Sequence, residues 1–206
     1  MKFITAIQKL EHFEISEQRK CDAHREIAPF RDTLISDTEI AKAKKAAVLL
    51  LVHPHDGQAH FTLIERSAYD GIHSKQIALP GGKVEKQDSD INETALREAH
   101  EEVNINPDDV KIISELSPIY VPPSNFYITP ILGISEKRPN YIPEIKEVNH
   151  IIEVPLAELL KGPILKQTKI SISKSSSFKT PYMDIKDKIV WGATAMILNE
   201  LRHFLK

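Results

Sequence analysis

LPGG at residues 79–82 and INETALREAHEEV at residues 91–103 decide how this chain is read. The second stretch predicts a helix. Ser89 and Asp90 offer N-caps, Glu93 puts acid in the first turn, and Pro107 lies just beyond the end. At about 100° per residue, Glu98, Glu101 and Glu102 fall within roughly 100° of arc on one face. Three carboxylates on one patch repel one another. A solvated helix interleaves lysines at such spacings, yet none occurs between residues 87 and 110. Divalent cations relieve this repulsion, and hard ions such as Mg²⁺ and Mn²⁺ choose oxygen ligands. Arg97 can pair with Glu93 or Glu101 one turn away. Read alone, REAHEE fits an acidic exposed face better than a site. Gly81 and Gly82 upstream change that, because glycine lets a backbone approach an ion or phosphate closely.

Working outward, residues 46–53 are short, apolar and bounded by polar residues, which predicts a buried strand. Asp56-Gly57 is a hairpin signal, and 61–66 returns as a second strand. Residues 67–87 read as loop. Strands are expected at 111–119, 127–135 and 148–154, a short helix at 155–161, and a last helix at 191–204 with Ala195, Leu198, Leu201 and Leu205 inward. Residues 164–189 are weakly patterned. Residues 1–40 look helical, with Phe3, Ile4, Ile7, Leu10 and Phe13 at helical spacing. Interleaved strands and helices predict an α/β (α+β) class with a mixed sheet, divided into a helical extension over 1–40 and one domain over 41–206.

The 206 residues carry 27 basic and 29 acidic side chains, a formal charge of −2. That balance argues against a broad nucleic-acid-binding face. The longest apolar run, 46–52, is far below the roughly 20 residues needed to cross a bilayer. The first residues lack the apolar stretch of a signal peptide. A single cysteine, Cys21, excludes an intrachain disulfide framework and reads as a buried or inert thiol in a reducing compartment. The expectation is a cytoplasmic protein with no nucleic-acid or membrane partner.

The pattern Gly82, Asp88, then Arg97-Glu98-Ala99-His100-Glu101-Glu102-Val103-Asn104-Ile105 resembles the signature of the Nudix hydrolases. Three departures stand out. Asp88 occupies the place of the first glutamate, eight residues rather than seven separate it from Arg97, and Asn104 replaces a glycine. The flanks are similar to the coenzyme A diphosphatase branch: Arg66-Ser67, His73, Gln76 and Leu79–Gly82 before the box, then Phe126–Pro130, Glu147-Val148, Val154–Leu156 and Trp191–Ala195 after it. An arginine expected at Gly71 and a glycine expected at Lys75 are missing.

The resemblance implies the Nudix fold, a mixed sheet between helices, and hydrolysis of a diphosphate with Mg²⁺ or Mn²⁺. It implies Glu98, Glu101, Glu102 and the Gly82 carbonyl as metal ligands, with Arg97 orienting a glutamate. Glu147 is the candidate for a further ligand or base, with Glu144 as runner-up. Arg66, Ser67, His73, Lys75, Gln76, Gly81 and Gly82 are the substrate-binding candidates. The implied substrate is coenzyme A or a derivative, cut to 3′,5′-ADP and 4′-phosphopantetheine. The alternatives are ADP-ribose, a nucleotide sugar or NADH, or a binding module without turnover. A homodimer is the assembly carried as an expectation. Among other residues, His53 and His55 read as hairpin-loop residues without a third ligand nearby, His100 as exposed or packing, and Trp191 as core rather than a stacking surface.

Overall fold

The computed structural model describes residues 1–29, 37–67, 76–162, 164–173 and 176–206. His73, Lys75 and Gly71 lie outside them, as does part of the serine run at 175–177. Three N-terminal helices, α1 (Phe3–Leu10), α2 (Glu17–Ile27) and α3 (Asp37–Ala41), lead into β1 (Lys44–His55). Then follow β2 (Gln58–Arg66), β3 (Ile77–Ala78), β4 (Gly81–Lys83), α4 (Ile91–Val103), β5 (Lys111–Glu115), β6 (Ile119–Val121), β7 (Phe126–Ile134) and β8 (Val148–Pro155). The chain ends with β9 (Leu165–Ser173), β10 (Ser176–Ile185), β11 (Lys188–Trp191) and α5 (Gly192–Leu205).

β1 is the centre of an eight-stranded mixed sheet. It pairs parallel with β7 on one edge. On the other edge it pairs antiparallel with β2 near its end and with β4 near its start. The predicted hairpin forms at Asp56-Gly57, both at positive φ (49° and 71°), as a two-residue turn requires. The apolar run in β1 is buried on both faces. Ala47, Leu49 and Leu51 face the cluster that holds Ala95, Ala99 and Val103 of α4. Leu50 and Val52 face the cluster that holds Leu198 and Leu201 of α5. Leu49, Leu50 and Leu51 are fully buried, each contributing about 2 kcal/mol through burial. One strand therefore joins both helical layers to the sheet.

Helices α1 and α2 belong to the α5 side. Ala6, Leu10 and Ile27 enter that cluster, and the Asn199 side chain donates to the Ala23 carbonyl at 2.7 Å. Buried Glu200 accepts from the Ser117 N–H at 3.1 Å and meets His24 Nε2 at 2.9 Å. Cys21 is exposed, against the buried reading, because α2 turns Ala23 and Ile27 inward instead.

Several elements differ from expectation. The 67–87 block contains β3 and β4, too short and glycine-bearing to show a strand pattern. Residues 111–121 split into β5 and β6, and the segment after β8 is a 3₁₀ helix, Leu156–Leu160. Residues read as weakly patterned form a three-stranded antiparallel sheet, β11-β10-β9. Its second hairpin turns at Lys186-Asp187, both at positive φ (50° and 61°), without the glycine that marks such turns. The last helix starts at Gly192, and Trp191 closes β11. Among the described residues no helix is long and apolar enough to cross a membrane.

Candidate active site

The site begins with the way α4 starts and stops. Asp90 is the N-cap, accepting the Glu93 N–H at 2.8 Å, while the Glu93 carboxylate accepts the Ser89 N–H at 2.6 Å. This reciprocal capping holds the helix start. Glu93 is therefore occupied and does not pair with Arg97. Asn104 closes the helix in the left-handed region, φ 60°, a conformation asparagine tolerates.

Between these ends, α4 presents its glutamates to β4. Gly81 stands at φ +151°, and a Cβ there would run into the Ala47 carbonyl and Val48 across the strand pair. Its N–H donates to Glu102 Oε2 at 2.8 Å. A Cβ on Gly82 would collide with the Glu98 carboxylate. Both glycines are thus needed to bring backbone and carboxylates together. Here they form a strand paired with β1 rather than a free turn.

Two arginines now offset the carboxylate repulsion. Arg97 donates to Glu98 at 2.9 Å, to Glu101 at 3.1 Å and to the Lys83 carbonyl at 3.1 Å. It also grips Asp88 with two bonds, 2.8 and 3.0 Å. Asp88 was not a site candidate from sequence. It is buried, and it also accepts the Glu85 N–H and the Thr94 hydroxyl, each at 2.8 Å. The Arg97 guanidinium holds Asp88 well below the usual carboxylate range, against burial. Asp88 therefore anchors the arginine that positions Glu98 and Glu101. Only its place in the box pattern signalled this.

Glu102 is buried beside Arg66, whose Nη1 lies 3.3 Å from Glu102 Oε1. Burial pushes Glu102 up to about 7, opposed by the Gly81 N–H and Arg66 and reinforced by Glu147 and Glu98. Burial likewise raises Glu98, opposed by Arg97 and reinforced by Glu101 and Glu147. Glu147 is exposed but acts on both carboxylates, whereas Glu144 is not among the main influences on either. Ser67 supports the same corner: its N–H donates to the Glu147 carbonyl and its hydroxyl to the Ile145 carbonyl. Glu101 is the outlying member, more than half exposed.

Among the described residues no three His, Cys, Asp or Glu side chains form a ready cluster for a metal ion. The fit to a hard divalent ion rests on the donor set: buried and half-buried carboxylates facing two glycines that leave room for nothing larger than a hydrogen. Glu98, Glu102 and the Gly82 carbonyl could hold such an ion.

A cavity of about 450 Å³ opens from this corner. Arg66, Gln76, Gly81, Gly82 and Lys83 are among its lining. Val121, Phe126, Ile128, Trp191 and Ile197 supply apolar lining, and Pro122, Pro123 and Ser124 line it as well. Trp191 is thus a wall of the cavity, correcting the core reading. The order of elements could not show this, because β11 reaches the cavity through the second sheet.

His53 and His55 do not lie in the hairpin loop. Both belong to β1, and His53 is fully buried. Glu153 of β8 stands 3.7 Å from His53 Nε2 and 3.5 Å from His55 Nδ1, a neighbour distant in sequence and therefore missed. Burial lowers His53 to about 4, and its Nδ1 meets the Pro54 carbonyl at 3.2 Å. This corner is a polar edge of the core, where Arg138 also donates to both Glu153 oxygens, at 2.9 and 2.7 Å. His100 is exposed, as expected.

A NUDIX domain model matches residues 43–169. The Nudix hydrolase NudL of Pectobacterium atrosepticum is 33% identical over 79% of this chain and 83% of its own length. Nudix hydrolase 15, mitochondrial, of Arabidopsis thaliana is 33% identical over 80% of this chain and 60% of its own. In structure, a MutT/nudix family protein from Enterococcus faecalis aligns over 91% of this chain and 73% of its own, with 13% identity and a TM-score of 0.49. With the box residues gathered on α4 and β4 and the family model covering more than half its length, this chain belongs to the Nudix hydrolases, enzymes acting on pyrophosphate bonds.

Proposed function

We propose that this protein hydrolyses the diphosphate linkage of coenzyme A or a derivative, releasing 3′,5′-ADP and 4′-phosphopantetheine with Mg²⁺ or Mn²⁺. The observation that carries this reading is a cavity lined both by Arg66, Gly81 and Gly82, which adjoin the carboxylates, and by apolar side chains including Phe126, Ile128 and Trp191. A diphosphate carrying a long, largely uncharged arm matches both kinds of lining. The resemblance of Arg66–Gly82 and Trp191–Ala195 to coenzyme A diphosphatases supports the same substrate. In this reading residues 41–206 form the catalytic domain of a cytoplasmic enzyme, and 1–40 are an extension whose helices α1 and α2 lie on the α5 side.

A divalent ion bound there would supply charge neutralisation at the diphosphate and acidify an attacking water. Glu98 and Glu102 would hold it, Glu101 would orient water or complete the ligand set, and Arg97 keeps Glu98 and Glu101 in place. Water adds to one phosphorus, the bridging P–O bond breaks, and two monoesters leave. Glu147, close enough to influence Glu98 and Glu102, accepts the water proton or joins the ligand set. Incubation with coenzyme A, ADP-ribose, a nucleotide sugar and NADH, with products identified by mass spectrometry, tests the substrate. Efficient cleavage of ADP-ribose or NADH with coenzyme A untouched would overturn it.

Two further results are expected. Under saturating substrate, Glu147→Gln slows turnover by about 10-fold or more, as loss of a general base does, while Glu144→Gln stays within about 3-fold of wild type. Equal, small effects from both would make Glu147 a surface charge. The second concerns pH. The raised Glu102 carboxyl favours the metal-free fold below its unfolded value of 4.5, and that contribution is lost as pH rises through about 7. An ion reverses this, because it binds only the deprotonated carboxylate. Mg²⁺ should therefore raise the melting temperature more at pH 8 than at pH 5.5. Thermal melts at both values, with and without the ion, check it.

A further inference from the structure

We infer that Arg66 is an exchangeable counter-ion: it holds Glu102 while the site is free, then moves to the diphosphate when an ion takes Glu102. This deepens the proposed function and rests on it. The two arginines of the site are held very differently. Arg97 makes five hydrogen bonds to four partners, including the two-pronged grip on buried Asp88. Among the described residues, Arg66 makes one side-chain hydrogen bond, to Glu102 Oε1, and it is long at 3.3 Å. Arg66 is about a quarter exposed, and it lines the cavity in which substrate would lie.

Glu102 leaves little choice about what happens when an ion arrives. Its Oε2 is fixed by the Gly81 N–H at 2.8 Å, and the side chain is buried. The carboxylate therefore cannot swing aside. Oε1 serves either the guanidinium or the ion, and a cation one bond away from a divalent ion is repelled. The β2 end that carries Arg66 stays put, because its N–H donates to the Gln76 carbonyl and the next N–H to the Glu147 carbonyl. Only the side chain needs to move, and a diphosphate in the cavity offers it oxygen pairs suited to a guanidinium fork. Metal-free, the same residue keeps the buried carboxylate paired.

The test measures Mn²⁺ binding to the substrate-free protein by calorimetry at pH 7.5, alongside kcat and KM with coenzyme A. In Arg66→Ala, Mn²⁺ should bind about 3-fold tighter, the size of a partly exposed ion pair. KM should rise about 10-fold or more, as one charge-assisted phosphate contact is lost, with a smaller change in kcat. Arg66→Gln keeps the stem and should show the same signs if the alanine variant folds poorly. Lys83→Ala removes a cation that makes no bond to Glu102, and should not tighten Mn²⁺ binding. Weaker or unchanged Mn²⁺ binding in both Arg66 variants, an unchanged KM, or equal tightening in Lys83→Ala overturns the exchange. If wild type binds Mn²⁺ but cuts another diphosphate, KM is measured on that compound, and only the substrate assignment fails. If wild type binds no Mn²⁺ or cuts no diphosphate, both readings fall.

Discussion

Glu98→Gln and Glu102→Gln should each lose at least about 100-fold in turnover while the protein still folds. The amide keeps the size of the side chain but removes the charge that faces a divalent ion. For Glu102 the fold has reason to tolerate the change, since burial already pushes this carboxyl towards its neutral form. Glutamine can still accept the Gly81 N–H. Its melting temperature without metal should equal or exceed that of wild type above pH 7, where the wild-type carboxylate is ionised at a cost. Glu98→Gln retains an oxygen for Arg97. EDTA should abolish wild-type activity and Mg²⁺ restore it, and neither variant should show metal-dependent stabilisation of wild-type size. Near-wild-type turnover in either variant removes that residue from the metal site.

Asp88→Ala should be the most destabilising single change at the site. It removes the two-pronged bond to Arg97, the acceptor of the Glu85 N–H and the acceptor of the Thr94 hydroxyl. Breaking a buried ion pair from one side costs about 3–5 kcal/mol. The lower figure corresponds to a fall of roughly 6–12 °C in melting temperature for a domain of this size. Because Asp88 is held far below its ordinary value of 3.8, its contribution is complete at neutral pH. It is lost only as pH falls through the depressed value. The deficit of the variant should therefore be constant between pH 5 and 8, which thermal melts can show. Activity should fall too, since Arg97 without its anchor no longer holds Glu98 and Glu101 in one arrangement. A melting temperature within about 2 °C of wild type would mean that Arg97 is adequately held by its other partners.

Much of this molecule follows from local rules. The α4 helix, its acid first turn and its asparagine stop were legible because capping and periodicity act within a few residues. The Asp56-Gly57 hairpin and β1 were legible for the same reason. What stayed hidden depended on distant chain. The sheet β9–β11 has strands without strong alternation and a hairpin turn at Lys186-Asp187 that lacks glycine, so little in the sequence marks it. Trp191 reaches the cavity only because that sheet carries it there.

The glutamate arc on α4 needs nothing but helical geometry, and the sequence by itself determined it, whereas glycine is required at 81 and 82 by the packing of β1 and Glu98 against β4. Which cation each carboxylate meets is another matter. Glu93 and Glu101 are equally placed for Arg97 on an isolated helix, yet Glu93 is taken by the Ser89 N–H and Arg97 is drawn to Asp88. Glu102 is one of three neighbouring glutamates in sequence terms. It becomes the buried one, bonded to Gly81 and Arg66, because β4 and the end of β2 are laid against that side of the helix. Glu153, far along the chain, arrives beside His53 through the β2–β8 pairing. Periodicity sets the face on which a side chain lies. Burial, counter-ion and proton affinity are set by what the rest of the chain packs against that face, and only the tertiary structure decided those.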